Sequence, residues 1–222
     1  MRAVIFDCDG VLVDSEFIAA QAVERLLALH APSLDLTELH QTYYGISDEA
    51  MVDLLRDRYG VTLPDDFLVQ AQDAIDEALL QDLEAIPGAR DAVLQIDLPR
   101  AVASNSHRAR VAQSLARAGL TDAFGGHLYC ADMVDNPKPA PDVYLAAAAG
   151  LGLPAAACVA VEDSVTGTRA ARSAGMTVVG FLGGRHIGPN DADQLRAAGA
   201  HPLAEDMFDV ARVLQVMASI PA

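Results

Sequence analysis

From residue 89 to the C-terminal region, short apolar runs alternate with segments of helical length, and this alternation constrains the fold more than any other feature. Apolar runs stand at 101–103, 128–129, 158–161 and 177–181, short enough for buried strands and bounded by turn residues. Between and beyond them, 89–95, 108–118, a segment from Pro141, 164–174, 191–198 and 207–217 carry helical patterns. Strands separated by helices of this length predict an α/β protein with a Rossmann-like, doubly wound parallel sheet. The run Ala3-Val4-Ile5-Phe6 adds a central strand near the N-terminus.

The stretch between Asp14 and Pro87 obeys a different pattern. Ser15 is placed to cap a helix through residue 29, with Ile18, Val23, Leu26 and Leu27 on its buried side. A second helix is expected from Thr37 to Gly45. A third follows Ser47 and buries Met51, Val52, Leu54 and Leu55, and a fourth runs from Pro64 to about Leu83. No strand pattern interrupts them. The expected organisation is a Rossmann-like core made of 1–14 and 88–222, with an all-helical domain, 15–87, inserted directly after the first strand.

Charge narrows the range of functions. Thirty-one Asp and Glu against 15 Lys and Arg give a net charge of -16, which repels nucleic-acid backbones and anionic lipid surfaces. Neither nucleic acid nor a membrane is therefore expected as a partner, and the acidic surface favours a soluble monomer. An anionic substrate would need a local cation. The uncharged stretch 143–161 has the length of a membrane span, but Gly150, Gly152 and Pro154 break it, so a helix, a turn and a strand are expected. Cys8, Cys130 and Cys158 have no metal-ligand spacing and sit in or beside apolar runs. They read as free buried thiols in a reducing compartment, and with no signal-peptide pattern before Asp7 the expected location is the cytoplasm.

Polar clusters mark the ends of the expected strands. The first run leads into Asp7-Cys8-Asp9-Gly10, 101–103 into Ser104-Asn105-Ser106, and 158–161 into Glu162-Asp163-Ser164. In an open parallel sheet, ligands bind outside the carboxyl ends of the strands, so the three clusters converge on one crevice. Lys138 lies between prolines in Asn136-Pro137-Lys138-Pro139, a stiff loop ahead of the helix from Pro141. Two acids as close as Asp7 and Asp9 repel unless a cation or a proton intervenes. Each cluster also has a plain structural explanation. Asp-Gly is a common turn, Ser104 or Ser106 suits a helix cap, acids suit a helix N-terminus, and single lysines are usually solvated.

Taken together and in order, the clusters resemble the haloacid dehalogenase superfamily, in its phosphatase branch with a helical cap. The first motif of that family is matched by Asp7, Asp9, Gly10, Val11, Leu12, Val13, Asp14 and Ser15. The second is matched by Ser104, the third by Lys138-Pro139-Ala140-Pro141, and the fourth by Glu162, Asp163, Ser164 and Gly167. The resemblance spans nearly the whole chain, and in layout it is similar to sugar-phosphate phosphatases and β-phosphoglucomutases. It implies a phosphoric monoester hydrolase in which Asp7 is the nucleophile, Asp9 carries protons and Lys138 completes the catalytic set. It also implies Mg²⁺ held by Asp7, Asp9 through its carbonyl, Glu162 and Asp163, and phosphate held by Ser104, Asn105 and Lys138.

The implied substrate is a small phosphorylated sugar, polyol or sugar acid. Glu16, Asn105, His107 and Arg108 are candidate substrate contacts, each equally explicable as a helix-start or surface residue; Tyr43, Tyr44 and Ser47 are weaker candidates. A hexose-phosphate mutase is the main alternative. However, Gly45-Ile46-Ser47 is followed by Asp48, an acid where a second phosphate would dock, and this favours hydrolysis. Dehalogenation requires neither Asp9 nor the metal pair, and a phosphonatase would need a Lys in 15–87, where none occurs. A non-catalytic binding protein on this fold would be expected to have lost one of Asp7, Asp9, Lys138 or Asp163.

Overall fold

Six parallel strands form one sheet in the order β3-β2-β1-β4-β5-β6 in the computed structural model, which describes residues 1–32, 34 and 48–219. The strands are β1 (Ala3–Phe6), β2 (Arg100–Ser104), β3 (Leu128–Cys130), β4 (Cys158–Glu162), β5 (Thr177–Phe181) and β6 (Leu203–Ala204). The chain builds outward from β1 through β2 to β3, then returns to the other side of β1 and continues through β4, β5 and β6. This is the doubly wound order, and its switch point lies between β1 and β4. The two-residue strand β6 had no detectable sequence pattern; it exists because Leu203 and Ala204 pair with Gly180 and Phe181.

Strands β1 and β4 are buried along their whole length, as expected when helices cover both faces of a parallel sheet. The helices of this unit are α4 (Ala89–Gln95), α5 (Arg108–Arg117), α6 (Asp142–Gly150), α7 (Val165–Ser173), α8 (Asp191–Ala198) and α9 (Met207–Ser219). One face packs Ala3, Ile5, Ala101, Ala103 and Ala160 against Val143, Tyr144, Ala147, Ala170 and Ala171. Small residues on both sides let α6 and α7 approach the sheet closely. Stretch 143–161 resolves into α6, a short 3₁₀ turn and β4, and no helix among the described residues is long and apolar enough to cross a membrane.

The chain divides into two compact units, 1–15 with 83–222 and 16–82. The second contains most of α1 (Ser15–His30), α2 (Asp48–Tyr59) and α3 (Phe67–Asp82) and no strand among its described residues. Its own core is formed by Val23, Leu27, Met51, Leu55, Phe67 and Ala71. The fourth helix expected in this unit, from Pro64 to about Leu83, runs from Phe67 to Asp82. The expected helix from Thr37, and Tyr43, Tyr44 and Ser47 with it, lie outside the described residues.

Candidate active site

Strand register gathers the acids. Phe6 pairs with Val161, so Asp7 and Glu162 leave neighbouring strands at one level, where the strand spacing is about 4.8 Å. Asp163 follows immediately, and oxygens of Asp7, Glu162 and Asp163 lie within 4.8 Å of one another, all three residues being buried. The N–H of Asp7 donates to Val161 O at 3.0 Å, which ties the first residue after β1 to β4.

Lys138 enters this cluster from the loop between β3 and α6. Its Nζ donates to Asp7 Oδ1 at 2.8 Å and to Glu162 Oε1 at 2.6 Å, with only 4% of its side chain exposed. It is the chain's only lysine. Burial works against its charge, but Asp7 and Glu162 outweigh burial and raise its pKa, so the ammonium is retained. Asn105 holds the loop: its Nδ2 donates to Lys138 O at 3.1 Å, and its Oδ1 accepts from Lys138 N at 2.8 Å. The carboxamide expected to face phosphate is thus committed on both sides to the lysine's own backbone.

Glu162 is saturated by protein donors. Tyr144 Oη donates to Oε1 at 2.6 Å and Ser164 Oγ to Oε2 at 3.0 Å, in addition to Lys138. Burial, reinforced by Glu162, pushes the Tyr144 hydroxyl well up, so it remains a donor. Ser164 also caps α7 by accepting from Gly167 N at 3.0 Å. Gly167 is bare for a steric reason: a Cβ there would lie 1.8 Å from Glu162 Oε1.

Asp9 faces the other neighbour of β1. Its Oδ1 accepts from Ser15 Oγ at 2.7 Å, and its Oδ2 from Ser106 Oγ at 2.8 Å and Ser104 Oγ at 3.3 Å. Ser15 therefore serves Asp9, and α1 begins at Ser15 itself, where a capping role had been expected. Ser104, fully buried at the end of β2, also accepts from Ser106 N at 3.0 Å. Hydroxyls turn readily from donor to acceptor, so this trio suits Asp9 either ionised or protonated.

The electrostatic cost differs from the one read in the sequence. Burial is the largest influence raising Asp7, partly offset by Lys138, and Glu162 and Asp163 raise it further; Asp9, two residues away, contributes less than either. Burial also raises Asp163, opposed by a hydrogen bond from His186. Once ionised, the three buried carboxylates carry two more charges than the single ammonium of Lys138 balances, and every ligand atom they offer is an oxygen. That donor set and charge fit a hard divalent cation.

The remaining expected contacts lie apart from these bonds. His107 is the N-cap residue of α5, 82% exposed, with Nδ1 3.9 Å from Asp132 Oδ2. Arg108 is exposed and its N–H donates to Asp132 Oδ1 at 3.0 Å, so Asp132 performs the capping considered for Ser104 and Ser106. Glu16 is exposed in the first turn of α1, within the helical unit.

A further strand-end cluster, Gly183-Gly184-Arg185-His186 after β5, was missed in the sequence. Arg185 Nε pairs with buried Asp14 Oδ2, and His186 Nε2 lies 3.0 Å from Asp163 Oδ2. The signal was present, since Gly-Gly followed by two basic residues comes one residue, Leu182, after the apolar run at 177–181. Tyr144 gave no such signal, because an aromatic in an apolar helix looks like packing.

A buried nucleophile candidate at the switch point, a lysine beside it and an acidic cluster on the next strand define a class of protein, and sequence comparison agrees. The haloacid dehalogenase-like hydrolase family model matches residues 1–175, and the chain belongs to that family. It is similar to the 6-phosphogluconate phosphatase of Escherichia coli K12, 30% identical over 190 residues that cover 85% of this chain and 86% of the relative. Hexitol phosphatase B of the same organism is 31% identical over 185 residues, covering 78% and 80%. A hydrolase of this family from Deinococcus radiodurans R1, solved with bound phosphate and sodium, superposes with a TM-score of 0.88 at 35% identity, covering 100% of this chain and 99% of that one. The protein is accordingly an enzyme of the phosphoric monoester hydrolase class.

Proposed function

We propose that the protein is a Mg²⁺-dependent phosphatase of small phosphorylated sugars, polyols or sugar acids, acting through a phosphorylated Asp7. The observation that carries this reading is Asp7 itself: a buried carboxylate at the switch point, bonded to the chain's only lysine and grouped with two further acids. In the first step an Asp7 oxygen attacks phosphorus and the bond to the leaving alcohol breaks, while Asp9 gives that oxygen a proton. In the second, water attacks phosphorus, Asp9 takes back a proton, and the bond to Asp7 breaks to release inorganic phosphate. Lys138 draws charge from the phosphoryl oxygens. Ser104, with its hydroxyl on Asp9, is placed to exchange that bond for a phosphate oxygen, and Asn105 keeps the Lys138 loop in register.

Asp7 and Asp163, with the Asp9 carbonyl, would hold the cation, which supplies neutralisation of charge on phosphate and nucleophile; Glu162, expected as a further ligand, has its oxygens taken by Lys138, Tyr144 and Ser164 and would act from behind them. Glu162 also holds Lys138 in line with Asp7. We assign substrate selection to the helical insert, 15–87, with Glu16, and to His107 and Arg108 beside the core site. The substrate class rests on the named relatives. The three buried free thiols support a cytoplasmic location.

Phosphate release measured with Mg²⁺ over phosphorylated sugars, polyols, sugar acids and nucleotides tests the reading. The expected result is a preferred substrate among the sugar derivatives. A clear preference for nucleotides would overturn the substrate class, and no release from any ester would overturn the activity.

The raised carboxylates give a second test. The native state keeps protons on Asp7 and Asp163 that the unfolded chain releases near 3.8. In chelator, stability therefore falls as pH rises from that value towards the raised ones. Mg²⁺ binds the ionised cluster, so the Mg²⁺-induced rise in Tm should be small at pH 5 and grow to neutrality. At a hundredfold excess over Kd the gain is about 2.7 kcal/mol, or roughly 5–10 °C for a chain of this size. Thermal melts across pH check this; a shift that shrinks towards neutral pH contradicts it.

A further inference from the structure

His186 occupies a slot made by two glycines from separate strand ends. Gly10, with φ +76°, could carry no side chain: a Cβ there would lie 1.8 Å from Asp163 Oδ2 and 2.8 Å from His186 Cε1. A Cβ at Gly184 would lie 2.5 Å from the same Cε1 and 3.1 Å from Gly10 O. Contacts under 3.0 Å with a packed ring force something to move, so both positions must be bare for the imidazole to lie where it does. The turn that delivers the ring is equally tight, since a Cβ at Gly183 would meet the Phe181 ring at 2.6 Å and Glu205 O at 2.9 Å. The His186 side chain is 12% exposed. Beside it, Arg185 reaches back to Asp14, so the segment after β5 is fastened to the first motif as well as to the fourth.

Within this slot Nε2 of the ring lies 3.0 Å from Asp163 Oδ2. Asp163 follows the end of β4, and a carboxylate there turns about its own side-chain torsions unless something holds it. A hydrogen bond to one oxygen fixes the plane of the group and thereby the direction in which it offers electron pairs.

We propose that His186 is a positioning residue that fixes the Asp163 carboxylate for cation binding, an inference that rests on the metal role given to Asp163 above. Neither the phosphoryl steps nor Lys138 uses this histidine. Removing a hydrogen-bond partner of a ligating group typically weakens metal affinity about 10–100-fold.

Two substitutions separate the hydrogen bond from the packing. His186→Phe keeps a ring in the slot and deletes the donor, whereas His186→Gln gives up the ring and keeps an N–H of similar reach. Calorimetric titration of Mg²⁺ and Mn²⁺ into chelator-treated protein reads affinity without turnover, and melts in chelator check that each variant is folded. The expected result is a Kd for His186→Phe raised about 10–100-fold, with His186→Gln recovering most of the loss. The Mg²⁺ concentration for half-maximal activity should rise in parallel, while kcat at saturating Mg²⁺ returns towards the wild-type value. Wild-type affinity in a folded His186→Phe overturns the inference while leaving the metal reading in place. A wild-type protein that titrates with neither ion overturns both. If His186→Phe does not fold, the comparison passes to His186→Gln and His186→Ala, and equal affinity in those two overturns it.

Discussion

Asp7→Asn should abolish turnover, by at least roughly 10⁴-fold, because an amide oxygen is too weak a nucleophile to open the covalent route. The fold should survive and the unfolding midpoint should equal or exceed that of the wild type. The sign follows from the buried cluster: burial, Glu162 and Asp163 all disfavour the ionised form of Asp7, so a neutral isostere relieves that cost. Lys138 keeps Glu162 as a partner at 2.6 Å. Wild-type enzyme quenched in acid during turnover of a radiolabelled ester should retain label that hydroxylamine removes, and the variant should retain none. Retained phosphatase activity in Asp7→Asn would remove the nucleophile assignment.

Lys138→Met should damage both activity and stability. It deletes the one ammonium among three buried carboxylates while keeping a side chain of similar length in place. Loss of a single charge-stabilising donor costs on the order of 10²–10³ in kcat. Removing one partner of a buried ion pair costs about 3–5 kcal/mol, because the other charges remain uncompensated. The stability loss should be largest near neutral pH and shrink on acidification. Without the lysine, Asp7 loses the influence that lowers its pKa, and a proton replaces the missing cation. Urea unfolding at pH 5 and pH 8 checks this, and equal stability of the two proteins at pH 8 contradicts it. Since Lys138 is the only lysine, amine-reactive labelling followed by mass measurement reports on this side chain and the N-terminus alone. The folded wild type should label at the N-terminus first.

Much of the architecture was legible because strands buried on both faces leave unmistakable runs. β5 and α8 lie where the apolar pattern placed them, at 177–181 and 191–198. β6 was not legible, since two residues carry no period and its existence depends on the edge that β5 offers. The acids, the serines and the lysine could be chosen from sequence because each breaks an apolar run at a strand end. Their partners could not be. The Asn105 side chain is spent on Lys138's backbone, Ser15 serves Asp9, and Tyr144 reaches out of a core helix to Glu162. These are contacts across 33, 6 and 18 positions, and local pattern does not encode them.

The sequence by itself determined the layered α/β class, the helical insert and the residue types proposed to perform chemistry, because periodicity and charge are local properties of the chain. Only the tertiary structure decided which charges meet. The parallel register sets Asp7 level with Glu162, the Lys138 loop brings an ammonium between them, and bare glycines at 10, 167 and 184 leave room for Asp163, Glu162 and His186. The two acids that look paired in the sequence, Asp7 and Asp9, turn to opposite neighbours of β1. The acid that weighs most on Asp7 is Glu162 on the adjoining strand. Electrostatic energy depends on distance and burial, and both are fixed only when the strands pair.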